Sequence, residues 1–392
     1  YLRLIKYMKQ EINSFLYTCE KDIRDLCIYL YNNPEVSYKE HNSSEYICNL
    51  LSKHNFNIEK NFLDIDNAFF AQKGDKYPKI CYLCEYDAIE DIGHITGHNL
   101  TTTISASAAL SLGHIIDKIG GSVILIGCPG EYLGGSKGTM VKQNVFEDID
   151  VVMEVHPDII TCESGSSSSI IPIGIKFIGT KSLHFLNRRD FTPLDAALLT
   201  INILNSTKKG LPEGLEINYV ISNGGNTPLF IPSETELRCY IRAKTSKLSV
   251  YGNGYIKQIV KYVTELTGIK NNFFLYEQPN KELITNHTLN RLFSHNLKES
   301  GIININPPKD IYAGLSIGDV SHKVPTIHPY ISIVEDDTIQ YGSIDFARAT
   351  ISDYSVNQCI ISAKALAYTG IDLIKNENLL LEVKQEFFSQ SN

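Results

Sequence analysis

Gly93-His94-Ile95-Thr96-Gly97-His98-Asn99-Leu100 is the stretch on which the fold turns. It leads into a small-residue helical segment at about residues 102–119. Ahead of it an apolar run ends in Cys84-Glu85-Tyr86-Asp87-Ala88. Behind it come Pro129-Gly130-Glu131-Tyr132-Leu133-Gly134-Gly135 and Met153-Glu154-Val155-His156-Pro157. Short β-rich runs at residues 67–72, 79–85, 122–127 and 150–155 alternate with helical ones, which argues for an α/β domain on a largely parallel sheet. In such sheets chemistry gathers at the carboxyl ends of strands. Asp87, His98, Glu131 and His156 all fall just after apparent strands.

The length of 392 residues favours two domains, and 43% hydrophobic residues suffice for sizeable cores. A formal charge of -8, with no basic tract, argues against a nucleic-acid partner. The longest apolar runs, such as Val123-Ile124-Leu125-Ile126, are far too short to span a bilayer. The first ten residues hold no signal-peptide core, and the nine cysteines are odd in number and irregularly spaced. Both observations point to reduced thiols in a cytoplasm. Cys81-x-x-Cys84 sits in an apparent strand, where side chains three apart face opposite ways, and so reads poorly as a metal clip.

Residues 3–31 and 43–54 read as helices. From about residue 170 the texture changes. A β-like run at 170–178, a helix at 195–207, β-like runs at 216–222 and 235–243, a helix at 248–267 and a β-like run at 272–276 form a β-α-β-β-α-β series, the ferredoxin-like pattern. A helix at 286–300, a loop at 312–322, a strand at 330–334 and a terminal helix at 345–376 return to the first domain. The expected organisation is a catalytic α/β domain over 1–169 and 286–392, with a second domain inserted at 170–285.

Taken together, the quoted strings resemble the aminoacylase-like branch of the M20 family of peptidases and amidohydrolases, over about residues 26–373. The resemblance implies a mixed, largely parallel sheet flanked by helices, with an inserted ferredoxin-like lid that also forms a homodimer. It further implies two metal ions that activate water against a small-molecule amide, and a glutamate that shuttles the proton. A lid histidine supports the oxyanion.

Residue by residue, the resemblance is incomplete. His98 matches the histidine of a Cys-Gly-His string, but Thr96 stands in place of its cysteine. Glu131 matches the general base of a Glu-Glu pair whose ligand member is here Tyr132. Val155-His156-Pro157 is intact, and Gly342 stands where a C-terminal histidine ligand is expected. His184 matches the lid histidine and Arg242 is retained. Leu229 and Ser316 stand where an asparagine and an aspartate of the substrate loops are expected.

Catalytic roles are therefore expected of Glu131, His98, His156 and His184, and substrate contacts of Thr96, Tyr132, Arg242, Leu229 and Ser316. His98 and His156 are the residual metal ligands. The cofactor expectation is none, or a weakly bound divalent ion such as zinc or manganese, since two imidazoles fall short of the three or more ligands usual for catalytic zinc. Substitute ligands would come from His94, Asp87, Asp319, His322 or the acidic run 335–337. His98 and His156 also read as hydrogen-bonded core histidines, and His184 as a packing residue. Cys84 and Cys128 are open to reading as nucleophiles or as small buried hydrophobes. Three functions remain: a metal-poor enzyme acting on an amide bond by hydrolysis, transfer or condensation, a pseudoenzyme that binds or scaffolds, and an ordinary metallo-amidohydrolase with substitute ligands.

Overall fold

The computed structural model describes residues 2–186, 190–336 and 338–390. The chain divides into two compact units. The first comprises Tyr1–Ser166, Leu283–Ile311 and Asp319–Asn392; the second comprises Ser167–Glu282 and Tyr312–Gly318.

The first unit is built on a six-stranded mixed sheet. Its order is Asn57–Lys60, Phe69–Lys73, Ser122–Gly127, Lys79–Cys84, Val151–Met153, Thr326–Ile327. The last four run parallel, and the first two are antiparallel additions at one edge. Every residue of Ser122–Gly127 is buried, as expected of a parallel strand covered on both faces, and this is why it reads as one apolar run. A smaller sheet holds Asn306–Lys309, Cys162–Ser164, Tyr330–Ser332 and His156–Asp158.

Helix His98–Ile119 is buried along almost its whole length. Its threonines, serines and alanines are what such close packing requires, and the hydroxyls find partners in the preceding turn. Thr103 Oγ1 donates to the Asn99 carbonyl at 2.6 Å and Ser111 Oγ to that of Ser107 at 2.7 Å. Leu100, Ile104, Leu112 and Ile115 are fully buried, each worth about 1.5–3 kcal/mol relative to exposure.

Four features differ from the periodicity. The first helix breaks at Cys19 into Leu2–Thr18 and Glu20–Asn32, with Glu20 and Asp22 in the first turn of the second piece, where carboxylates suit the helix dipole. The terminal helix divides into Ile344–Ala349 and Asp353–Lys375. Ser352 caps the latter by accepting from the Ser355 N–H at 3.1 Å. A further helix, Glu377–Gln390, follows, and the expected loop at 312–322 contains a short helix, Ile317–Ser321.

The second unit is a four-stranded antiparallel sheet in the order Leu215–Asn223, Glu234–Ala243, Ser169–Ile178, Lys270–Leu275. Helices Pro193–Thr207 and Ser246–Thr267 pack on it around a core that includes Ile175, Phe177, Leu237, Ile241, Ile256 and Val260. The first of these helices opens with a capping box between Thr192 and Asp195 and a proline in its first turn, a strong local start signal.

Candidate active site

Three strands of the large sheet end in acidic residues. Glu85 and Asp87 follow Lys79–Cys84, Glu131 follows Ser122–Gly127, and Glu154 follows Val151–Met153. Two glycines set the turns around them. Gly97, at φ +85°, lies so close to Pro157 that a Cβ would meet its Cγ at 2.5 Å. Gly130, at φ +82°, lies so close to Tyr38 that a Cβ would sit 2.4 Å from its ring. Positive φ and lack of space both demand glycine. These turns put His98 at the first residue of its helix and Glu131 at the start of a single 3-10 turn, Glu131–Leu133.

His98 is buried, and its Nδ1 lies 2.8 Å from Asp87 Oδ1. Burial alone would lower its pKa, but Tyr132 and Asp87 override that and raise it well above the usual value. Asp87 also accepts from Ser37 Oγ at 2.7 Å and from the Tyr132 N–H at 3.0 Å. Although burial opposes ionisation, His98 and these donors lower its pKa. Asp87 thus orients an imidazole, as carboxylates behind metal-facing or catalytic histidines do. The Tyr132 ring stacks on His98 with centroids 4.6 Å apart, and its hydroxyl is hydrogen-bonded to Thr96 Oγ1. His156 is buried, with its ring 5.9 Å from that of His98. Burial, reinforced by His98, lowers its pKa to about 3, so its imidazole is neutral at physiological pH.

Glu85, His98 and His156 offer ligand atoms within 4.8 Å of one another, the group among the described residues suited to hold a metal ion. None of the substitute ligands expected from sequence belongs to it. Asp87 serves His98, and buried His94 directs Nε2 to the Leu30 carbonyl at 3.1 Å. Asp337 lies outside the described residues. Glu85 was missed because it adjoins Asp87 in the same string, and the resemblance directs attention to the latter. This three-residue group suits one ion; at the other positions of the family's ligand set stand Thr96 and Tyr132, hydrogen-bonded to each other, and Gly342.

Lys137 was missed as well. It follows Gly134-Gly135-Ser136, in a run that reads as a surface turn, yet it is fully buried. Its Nζ is hydrogen-bonded to Glu85 Oε1, lies 3.2 Å from Glu131 Oε2 and is 3.8 Å from Glu154 Oε2. Burial would lower its pKa, but the Glu131, Glu154 and Glu85 carboxylates together raise it well above the usual value.

In the second unit, His184 is exposed at the start of a 3-10 turn, and its N–H donates to the Leu229 carbonyl at 3.1 Å. Leu229 is half exposed and Ser316 is buried. The Arg242 guanidinium donates to the Tyr312 carbonyl. All nine cysteines are free and buried. Burial raises the pKa of Cys84 and of Cys128 far above that of a reactive thiol, which favours the hydrophobic reading of both.

No family model matches the chain. Over 387 residues it is 28% identical to the Xaa-Arg dipeptidase of Mus musculus, covering 91% of this chain and 87% of that one. Over 242 residues it is 29% identical to a component of the p-aminobenzoyl-glutamate hydrolase of Escherichia coli strain K12, covering 56% of this chain and 50% of the other. Its fold matches a Bacillus subtilis protein described as a dinuclear metal-binding peptidase of the M20 family. The TM-score is 0.64 at 15% identity, over 89% of this chain and 98% of that one. These likenesses indicate a peptidase or amidohydrolase of the M20 type, with the fold of that family.

One feature of the turn at Gly130 is directly testable by pH. Glu40 is buried, and its Oε1 accepts from the Gly130 N–H at 2.8 Å, which fixes the turn carrying Glu131. Burial pushes its pKa up to about 7. The folded protein therefore favours the neutral acid. The stability this confers is full below the unfolded value near 4.5 and is lost as pH rises through 7. Glu40→Gln keeps the acceptor and removes the charge. Between pH 5 and 8 the wild type should lose roughly 2–3 kcal/mol relative to this variant, read from denaturant midpoints. Parallel pH profiles for the two proteins would refute this.

Proposed function

We propose that this chain cleaves the amide bond of a small N-acyl amino acid, dipeptide or related conjugate, with Glu131 as general acid/base. The observation that carries the reading is the Glu131 carboxylate, at a strand end in the same buried cluster as His98 and His156. It is held there by Lys137 and by a glycine turn with no alternative geometry. The relatives act on dipeptides and on p-aminobenzoyl-glutamate by name, and both are small amide substrates.

In this reading Glu131 takes a proton from the attacking water and passes it to the leaving nitrogen. His98 is oriented by Asp87, and together with neutral His156 it faces the scissile carbonyl; both are the residual metal ligands. A zinc or manganese ion, when bound, would polarise that carbonyl. With Thr96, Tyr132 and Gly342 in place of ligands, its hold is weak. The hydroxyls of Thr96 and Tyr132 contact the substrate, and the resemblance assigns substrate-holding parts to His184, Arg242, Leu229 and Ser316. The second unit has the connectivity and strand order of a ferredoxin-like fold, which supports reading it as the inserted lid and dimerisation domain. A cytoplasmic homodimer remains part of the proposal.

The test is turnover by the purified chain on Xaa-Arg dipeptides, p-aminobenzoyl-glutamate and N-acyl amino acids, with and without chelator. Release of free amine that survives chelation supports the metal-poor enzyme. Binding without turnover in either direction, hydrolysis or condensation, would replace it with the pseudoenzyme reading, which the mutually satisfied Thr96 and Tyr132 hydroxyls favour.

A further inference from the structure

In the first unit, buried Glu85, Glu154 and Lys137 and partly buried Glu131 form one charged group, contributed by segments that follow three strands and by one helix. Glu154 is fully buried, and neither of its carboxylate oxygens has a hydrogen-bond partner among the described residues. What offsets its charge is the Lys137 ammonium at 3.8 Å. A lone ionised carboxylate in such a place is costly, and removing the partner of a buried pair more so. Glu85 joins this group to the imidazoles. One of its oxygens accepts from Lys137, and the other lies 3.5 Å from His98 Nε2. Glu85 is also the only carboxylate in the group suited to hold an ion with His98 and His156. A carboxylate already paired with an ammonium has little negative charge left to offer. The ammonium itself also repels a dication a few ångströms away, strongly so where water is excluded.

We propose that Lys137 is the resident cation of this site: its ammonium withholds Glu85 from metal coordination and so sets how tightly His98 and His156 bind a divalent ion. The proposal rests on reading His98 and His156 as the residual metal-facing pair, and not on amide cleavage. Lys137 is accordingly a positioning residue, which acts through Glu85 and through its own charge.

The test is zinc and manganese binding to the full chain by equilibrium dialysis. It compares the wild type with Glu85→Gln, Lys137→Met and the double variant. Lys137→Met should bind about tenfold tighter or better, as expected when a unit charge close to the ion is removed. Glu85→Gln should weaken binding much less in the wild type than in Lys137→Met, because the ammonium already engages Glu85. An equal loss from Glu85→Gln in both backgrounds would overturn the proposal, as would no gain in Lys137→Met. If Lys137→Met does not fold, Lys137→Gln, which keeps a donor and removes the charge, takes its place. Turnover is not read, so a chain that cleaves no amide leaves the result interpretable.

Discussion

Glu131→Gln should lower kcat for amide cleavage by about 10²–10⁴-fold, the range spanned by loss of a positioned acid/base group. The amide is nearly isosteric with the carboxylate and can still accept from the Lys137 ammonium, so the turn at Gly130 should keep its shape. What it cannot do is take a proton from water and return it to nitrogen. KM should change much less than kcat, since no binding contact that precedes proton transfer is removed. The check is steady-state amine release on the best substrate, alongside a melting curve showing that the variant is folded. Turnover at the wild-type rate would remove Glu131 from the mechanism and with it the reason for treating this cluster as catalytic.

The largest stability effect is expected at Phe346, a fully buried ring whose edge lies against Gly97 and which packs edge-on to Tyr341 with centroids 5.1 Å apart. Phe346→Ala should destabilise the first unit by about 3–5 kcal/mol, the usual combination of lost transfer energy and an unfilled cavity. The cavity would open behind Gly97, the residue whose backbone starts the His98 helix, so His98 should lose its fixed position as well. Denaturant unfolding followed by a probe in the first unit reads the stability. A loss below about 1 kcal/mol would show that the surrounding side chains collapse into the space.

Much of this architecture is legible in the residues, for local reasons. Val123-Ile124-Leu125-Ile126 is apolar on both faces because its strand is covered on both. Gly97-His98 and Gly130-Glu131 announce turns that only glycine can make. The β-α-β-β-α-β series in the second unit carries its own start signals, such as Thr192-Pro193 with Asp195. What stays hidden depends on contacts between distant segments. Little near Lys137 in sequence says that it is buried, because two of its three counter-charges come from the distant positions 85 and 154. Glu85 looks like a neighbour of Asp87 until the strand end turns it toward His98. Helix Glu377–Gln390 has a single buried residue, Val383, and so leaves almost no periodic trace.

The hydrogen bond between Thr96 and Tyr132 makes two positions of the site interdependent. Restoring a thiol at position 96 alone would replace the hydroxyl that now pairs with the tyrosine phenol. Restoring a carboxylate at position 132 alone would set a new negative charge beside Glu131 and Asp87, with no thiolate and no third imidazole to share an ion. The bond ties the two positions together: a change at either one strands the hydroxyl left at the other, so a coordinating thiolate and carboxylate can enter only as a pair.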